Sequence, residues 1–194
     1  MCVSKIKMEK KQRCKWCNMK NPLYIKYHDE EWCIPNFDNQ YLYEMLILES
    51  FQAGLSWECV LNKRENFRKA FDGFDIDKVA AYDEVKQQEL KENPGIIRNG
   101  LKIKAAVRNS QVFKDIQAEF GSFDTYIWSF TQGKVVDEPF TIRTTSPLSD
   151  QISKDLKKRG MTFVGSTIVY SYLQAMGVIN GHGEDCWCRT QGHI

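Results

Sequence analysis

A glutamate interrupts the most apolar stretch of the chain. From Leu42 to Trp57, aliphatic side chains cover more than one face of a predicted helix, and Glu49 falls among them. Gly54 and Ser56 predict the end of this helix. An ionised carboxylate in such surroundings needs a partner or a positively charged ligand, or its pKa rises, because desolvation of a lone charge is costly. The alternative is that Glu49 faces water along one polar edge of the helix.

Large aromatic side chains flank this helix without a helical or strand period. Four precede it and one follows it: Trp16, Tyr24, Tyr27, Trp32 and Trp57. Such residues either pack in a core, which is the commoner use, or line a ligand pocket.

Histidine and cysteine residues near both ends of the chain predict a metal site. His182 and Cys186 are four residues apart, which on a helical turn places imidazole and thiolate on one side of a tetrahedral ion. The comparable donors elsewhere are Cys14, Cys17, His28 and Cys33. Spacing alone does not choose among these four, and free thiols with surface histidines are the alternative. Cys14 and Cys17 also form a C-x-x-C pair, but a redox site would require a βαβ pattern that is missing here.

The segment from Asn93 to Gly100 carries a Pro-Gly pair and a second glycine between two helical patterns. It predicts two helices joined by a tight hairpin. Glycine allows close approach of a phosphate, and the amides that begin the next helix favour an anion. A plain turn between packed helices is the alternative interpretation.

Composition restricts the class of protein. The 194 residues, 42% hydrophobic and 12% aromatic, can bury one sizeable core. A net charge of +2 is too small to indicate nucleic-acid binding by itself, so any basic surface must be local. We find no stretch that could span a bilayer and no secretory h-region, and therefore expect a cytoplasmic protein. In a reducing cytosol, the odd set of seven cysteines favours metal ligands or free thiols over disulfides.

Hydrophobic periodicity predicts an all-α fold, since no series of strands is apparent. We expect a disordered basic tail over residues 1–12. Further helices are predicted from Trp57 to Gly73, from Asp75 to Ala81, from Asp83 to Lys91, from Leu101 to Phe120, from Ser149 or Asp150 to Arg159, and from Phe163 to Gly177, and Phe123 to Phe130 form a short aromatic piece. Residues 131–147 are expected to form a loop at a boundary between two lobes.

Read in chain order, several short motifs resemble the bacterial DNA-3-methyladenine glycosylase I family. They are Cys14, the segment Tyr24 to Asp29, Glu49 with Gln52 to Trp57, the Gly95 to Arg98 hairpin, Lys157 to Gly160, Phe163 to Gly165, and the His182 and Cys186 pair. The resemblance covers about residues 13 to 188. It implies the two-lobed fold of helix-hairpin-helix glycosylases within a single catalytic domain, residues 13–194. One lobe would comprise 13–40 and about 131–194, and the other about 41–130.

The resemblance also implies a role for each candidate residue. Zn²⁺ would be held by Cys14, His28, His182 and Cys186 as a closed structural site joining the termini, which leaves Cys17, Cys33 and Cys188 as spare thiols. Glu49 and the five aromatics would hold a flipped, cationic 3-methyladenine. Leu55 would be the wedge that fills the gap in the duplex, and Gly95, Ile97, Arg98 and Lys102 would contact phosphates. Cys33 departs from the glycine usual at this position of the family.

The implied activity is monofunctional hydrolysis of the N-glycosidic bond of 3-methyladenine. The expected partner is double-stranded DNA that contains alkylated bases. We expect the protein to be a monomer and not to bind membranes. Two other hypotheses stay open: a non-catalytic module that binds damaged DNA, and a zinc-stapled interaction protein whose aromatics are all core. The carboxylate at Glu49 argues against the second hypothesis, because an apolar core has little use for it.

Overall fold

The computed structural model describes residues 11–138 and 143–189. Nearly all of the predicted basic tail, residues 1–10, lies outside these ranges. Ten α-helices are found in the described part: α1 Pro22–Glu30, α2 Asn39–Gln52, α3 Trp57–Leu61, α4 Arg64–Ala70, α5 Ile76–Ala80, α6 Glu84–Glu92, α7 Gly100–Phe120, α8 Phe123–Ser129, α9 Pro147–Lys158 and α10 Ser166–Ala175. A 3₁₀ turn covers Asp72–Phe74.

The all-α prediction is confirmed, with one small addition. Two-residue strands, β1 Val136–Asp137 and β2 Ile179–Asn180, pair in parallel with Val136 opposite Ile179. This pair ties the segment after α8 to the segment after α10. None of the helices in the described ranges combines the length and apolarity that a membrane crossing requires.

Helix α2 is the centre of the core. Every residue from Leu42 to Phe51 is buried, because α7, α8 and α10 pack around the helix. Two hydrogen bonds cross these interfaces: the Tyr43 hydroxyl lies 2.6 Å from Ser110 Oγ, and the Tyr172 hydroxyl donates to the Leu42 carbonyl. A helix surrounded in this way leaves no polar edge on which Glu49 could meet water.

Local capping explains most of the helix starts. The Asp75 and Asp83 side chains accept from amides in the first turns of α5 and α6, as the sequence predicts. Helix α9 begins earlier than expected, because Ser146 caps it in a reciprocal pair with Ser149 and Pro147 takes the first helical position. Helix α10 begins at Ser166 rather than at Phe163.

The single helix predicted from Trp57 to Gly73 is wrong. Helix α3 ends at Leu61 and α4 begins at Arg64, with the chain bent between them at Lys63. The bend lets Arg64 reach inward to the buried Glu44 carboxylate and to Glu31, at 2.6 Å. Satisfying a buried carboxylate outweighs the continuity of the helix at this point.

Candidate active site and metal centre

The Glu49 side chain is buried in the core, on helix α2. Its residue surface is only 3% exposed, and its Oε2 atom has no hydrogen-bond partner within the described part of the chain. Burial raises the pKa of Glu49 to about 8, since the charged form loses its hydration. The water-facing alternative is therefore excluded. An unpaired buried carboxylate oxygen is costly unless a ligand satisfies it.

A cavity of about 290 Å³ opens in front of Glu49. All five predicted aromatics line it, in the order Trp16, Tyr24, Tyr27, Trp32 and Trp57. Its volume is at the small end of ligand pockets, which span about 300 to 1,000 Å³. The cavity thus suits one small, flat molecule.

The aromatic rings are fixed by contacts with one another. The Trp16 and Trp32 ring centroids are 4.6 Å apart at 76°, and those of Tyr27 and Trp57 are 5.2 Å apart at 47°. Trp57 is itself buried, and its Nε1 atom has no hydrogen-bond partner in the described ranges. Rings packed against one another in this way hold their orientation before a ligand arrives.

Three further side chains line the cavity that sequence reasoning missed: Gln52, Ser171 and Gln174. Gln52 lies three residues after Glu49 on α2, and this helical spacing was the signal that could have identified it. Ser171 and Gln174 come from α10, and only the tertiary packing of α10 on α2 places them there.

The turn after α2 returns the chain over the cavity. Gly54 adopts the left-handed conformation, with φ of 77°, and Ser56 caps α3 by accepting from the Cys59 amide. Trp57 is the first residue of α3 and faces the cavity. Leu55, at the tip of this turn, is 41% exposed, as a wedge residue would need to be.

Four buried side chains form a candidate metal centre. Cys14, His28, His182 and Cys186 present one ligand atom each, all within 4.8 Å of one another. Cys14 Sγ is 3.6 Å from His182 Nδ1, and Cys186 Sγ is 3.4 Å from His182 Nδ1 and 3.5 Å from His28 Nε2. Tetrahedral Zn–S and Zn–N bonds of about 2.3 and 2.0 Å imply S···N edges of about 3.5 Å. The donor set therefore fits a tetrahedral ion.

The second ring nitrogen of each histidine has its own partner. His28 Nδ1 lies 2.9 Å from Asp29, whose carboxylate also accepts two hydrogen bonds from Arg13. His182 Nε2 lies 3.2 Å from the Trp32 carbonyl oxygen. These contacts orient the other nitrogen of each ring toward the centre, as outer-shell groups do in metal sites. Trp32 thereby joins the centre to the cavity wall.

The local structure of this centre differs from the expected helical turn. His182 follows β2, and the Cys186 amide donates to the Gly183 carbonyl within a non-helical turn. Of the remaining thiols, Cys188 Sγ lies 3.8 Å from His28 Nδ1, and with His28 and Asp29 it forms a second group of possible ligands. Cys33 Sγ accepts from the Gly181 amide, and Cys33 has a φ of 62°, a conformation in which glycine is the least strained residue.

The hairpin between α6 and α7 is present as predicted. The Gly95 and Ile96 amides both donate to Asn93, and Asn99 caps α7. The Arg98 side chain is exposed beside this turn. Ile97 is partly buried against the core.

Lys102 differs from the prediction that it contacts phosphate. It is only 6% exposed, and its ammonium group donates to the carbonyl oxygens of Phe51 and Ala53. Its side chain therefore points into the protein from the first turn of α7. Sequence position beside a hairpin does not reveal this, because the direction is set by the packing of α7 on α2.

Comparison with known proteins places this architecture in a family. The methyladenine glycosylase family model matches residues 16–190. DNA-3-methyladenine glycosylase 1 of Escherichia coli (strain K12) is 44% identical over 184 residues, covering 91% of this chain and 96% of that protein. A DNA-3-methyladenine glycosylase of Haemophilus influenzae is 40% identical over 182 residues, covering 92% and 98%.

Solved structures agree with these relatives. A crystal structure of a 3-methyladenine DNA glycosylase I superposes with a TM-score of 0.87 at 44% identity, covering 91% of this chain and 99% of the other. A Staphylococcus aureus 3-methyladenine DNA glycosylase I, studied for its recognition of 3-methyladenine, gives a TM-score of 0.85 at 35% identity, covering 89% and 94%. The fold, the near-complete coverage and the sequence identity together show that this chain belongs to the methyladenine glycosylase family.

Proposed function

We propose that this protein is a DNA repair glycosylase that hydrolyses the N-glycosidic bond of 3-methyladenine in alkylated DNA. The observation that carries the proposal is the buried Glu49 Oε2 atom, which lacks a protein partner and faces a small aromatic cavity. Membership of the methyladenine glycosylase family and the names of the relatives support the same activity.

The chemistry of the lesion matches the cavity. Methylation at N3 gives the nucleoside base a positive charge, so the base is a good leaving group without further protonation. Aromatic faces attract such a cation, and a carboxylate accepts hydrogen bonds from the exposed purine edge of a flipped base. Neutral adenine gains less from both interactions, and discrimination follows from this difference.

We assign base binding to Glu49 and the stacking faces to the five cavity aromatics. In the reaction, the bond from the sugar C1′ to the base breaks and the base leaves neutral with the bonding electrons. Water forms the new bond at C1′ and releases a proton. No amine takes part in this scheme; the ammonium group of Lys102, two residues after the hairpin, is held by backbone carbonyls.

The proposed DNA contacts lie on the side of the Gly54 turn and the hairpin. Leu55 is the wedge that fills the gap left by the flipped base, consistent with its exposure. Because the Gly95 and Ile96 amides are engaged by Asn93, we place the phosphate on the amides of Ile97 and Arg98, with the Arg98 guanidinium adding charge. We also propose that the protein acts on duplex DNA, that it is a monomer of two lobes, and that it is located in the cytoplasm.

We further propose that the Cys14, His28, His182 and Cys186 centre binds Zn²⁺ as a structural ion. Two thiolates and two imidazoles are a donor set that zinc prefers, and all four side chains are buried. Burial raises the pKa of Cys14 to about 12, so a bound cation is what stabilises the thiolate there. The ion supplies cohesion between the two ends of the chain.

Chromatography of bases released from methylated duplex DNA tests the proposed function. The full chain, loaded with zinc, is expected to release 3-methyladenine above a control without protein. Tight binding of the damaged duplex without release would favour a non-catalytic damage-binding module. Absence of both binding and release would favour a zinc-stapled interaction protein.

A further inference from the structure

Lys102 is a buried cation whose hydrogen-bond acceptors are backbone carbonyl oxygens. Its Nζ atom lies 2.9 Å from the Phe51 carbonyl oxygen and also donates to that of Ala53. These carbonyls belong to the C-terminal end of α2, which lacks further helical amides to satisfy them. A cation at this end also interacts favourably with the helix dipole. The Lys102 side chain from α7 therefore caps the C-terminal end of α2.

The carbonyls that Lys102 holds lie between two parts of the proposed site. Phe51 is two residues after Glu49, and Ala53 immediately precedes the Gly54 turn that carries Leu55. The backbone of Lys102 also contacts the hairpin, because its amide donates to the Asn99 side chain, which caps α7 at the end of the hairpin. One side chain thus spans from the hairpin to the cavity helix.

A third segment meets the same point. The Lys102 Nζ atom is 5.9 Å from the centroid of the Phe163 ring, in the loop between α9 and α10. One residue earlier in that loop, the Thr162 backbone forms two hydrogen bonds of 2.9 Å with the Asn109 side chain of α7. Helix α7 therefore holds both the Gly54 turn and the Phe163 loop in fixed positions.

We propose that Lys102 is a positioning residue, which fixes the base cavity and the Gly54 turn in position relative to the phosphate-binding hairpin. The proposal rests on the glycosylase function proposed above. Burial lowers the pKa of Lys102, in keeping with an ammonium group held away from solvent. Phosphate contacts at the hairpin fix where the duplex lies. The position of the cavity relative to the hairpin therefore determines whether a flipped base reaches Glu49. Loss of Lys102 should then impair excision from DNA far more than binding of the free base.

The test compares Lys102→Met with the wild type and with Lys114→Met, a control at an exposed lysine of the same helix that pairs with Asp77. Free 3-methyladenine affinity is measured by quenching of tryptophan fluorescence, and base release is measured in single turnovers on methylated duplex DNA. For Lys102→Met we expect affinity within about threefold of wild type. Release should slow by about tenfold to a hundredfold, since small misplacements cost that much in rate. Lys114→Met should match the wild type in both.

Release by Lys102→Met within twofold of wild type would overturn the inference, as would a loss of free-base affinity as large as the loss of release. The second result would mean a general loss of structure. If Lys102→Met fails to unfold cooperatively, Lys102→Gln keeps an N–H donor and is judged by the same two measurements. Absence of release by the wild type would instead overturn the proposed function and this inference together.

Discussion

The sulfur of Cys14 lies 3.6 Å from Nδ1 of His182, although 168 residues separate them in the chain. This contact, with those of His28 and Cys186, closes the N-terminal segment onto the segment after α10. Trp16 and Trp32 belong to the same N-terminal segment and line the cavity. The centre therefore positions part of the cavity, although its proposed ion takes no chemical part.

Replacing Cys186 with serine should remove the metal and lower stability together. A three-donor site binds zinc more weakly, and the binding free energy is part of the folding free energy. We expect the free energy of unfolding to fall by about 3 kcal/mol or more, which lowers Tm by about 6 to 12 °C. Metal analysis and thermal unfolding measure both effects. Cys59→Ser, at a thiol outside the cluster, is the control, and full zinc content in Cys186→Ser would contradict the ligand assignment.

Asp29→Asn should weaken the metal centre without removing a ligand. The carboxylate orients the His28 ring and is itself held by Arg13. Loss of such outer-shell partners costs about 10- to 100-fold in metal affinity. Competition with a chelator measures the change, with the exposed Asp77→Asn as control. Equal affinities for Asp29→Asn and wild type would show that Asp29 does not support the centre.

How much of this centre the sequence could predict depends on the residue. The pairing of His182 with Cys186 follows from their spacing, but the helical turn expected there is replaced by a turn after β2. Spacing cannot select Cys14 and His28 over Cys17 and Cys33, because that choice depends on how the two ends of the chain meet. Resemblance to a family supplied the selection, and the structure brings these four side chains together.

The same limit applies to the fold. Helices with a local cap, such as those begun by Asp75 and Asp83, are predicted well because the cap and the helix are adjacent in sequence. The break between α3 and α4 is not predictable in this way, since it serves the tertiary pairing of Arg64 with Glu44. The burial of Lys102 was missed for the same reason.

Glu49→Gln should change the pH dependence of stability in a defined direction. Burial raises the pKa of Glu49 from 4.5 to about 8, so the folded state retains a proton that the unfolded state loses. Wild-type stability is therefore reduced as pH rises from about 5 to about 8, by up to about 5 kcal/mol. The neutral glutamine avoids this penalty.

Urea unfolding near pH 5 and near pH 8.5 measures this effect. The variant should resemble the wild type at the lower pH and be more stable at the higher pH, and the metal centre contributes equally to both proteins. Glu89→Gln, at an exposed carboxylate, should show no such difference. A variant less stable than wild type at the higher pH would indicate that a protein group pairs with the ionised Glu49.

Leu55→Ala should impair base release from duplex DNA selectively. A wedge offsets part of the unstacking free energy, a few kcal/mol for each base step, so we expect a decrease of about tenfold on duplex substrate. Single-stranded methylated DNA needs less unstacking and should be affected less. Affinity for free 3-methyladenine should be unchanged, because Leu55 does not line the cavity. Val85→Ala, at another exposed apolar residue, is the control, and equal losses on both DNA forms would argue against a wedge.

Single-turnover release of 3-methyladenine by wild type and Glu49→Gln, run side by side from about pH 6 to about pH 9, tests the central claim most directly. If the ionised Glu49 holds the cationic base, the wild-type rate should rise through pH 8, as the carboxyl group loses its proton, and approach a plateau near pH 9. Near pH 9 the variant should be slower by at least about tenfold, the loss of a charged hydrogen-bond acceptor, and it should lack this rise. Equal rates across the pH range, from a variant shown to be folded and zinc-loaded, would contradict the assignment of Glu49 to the site.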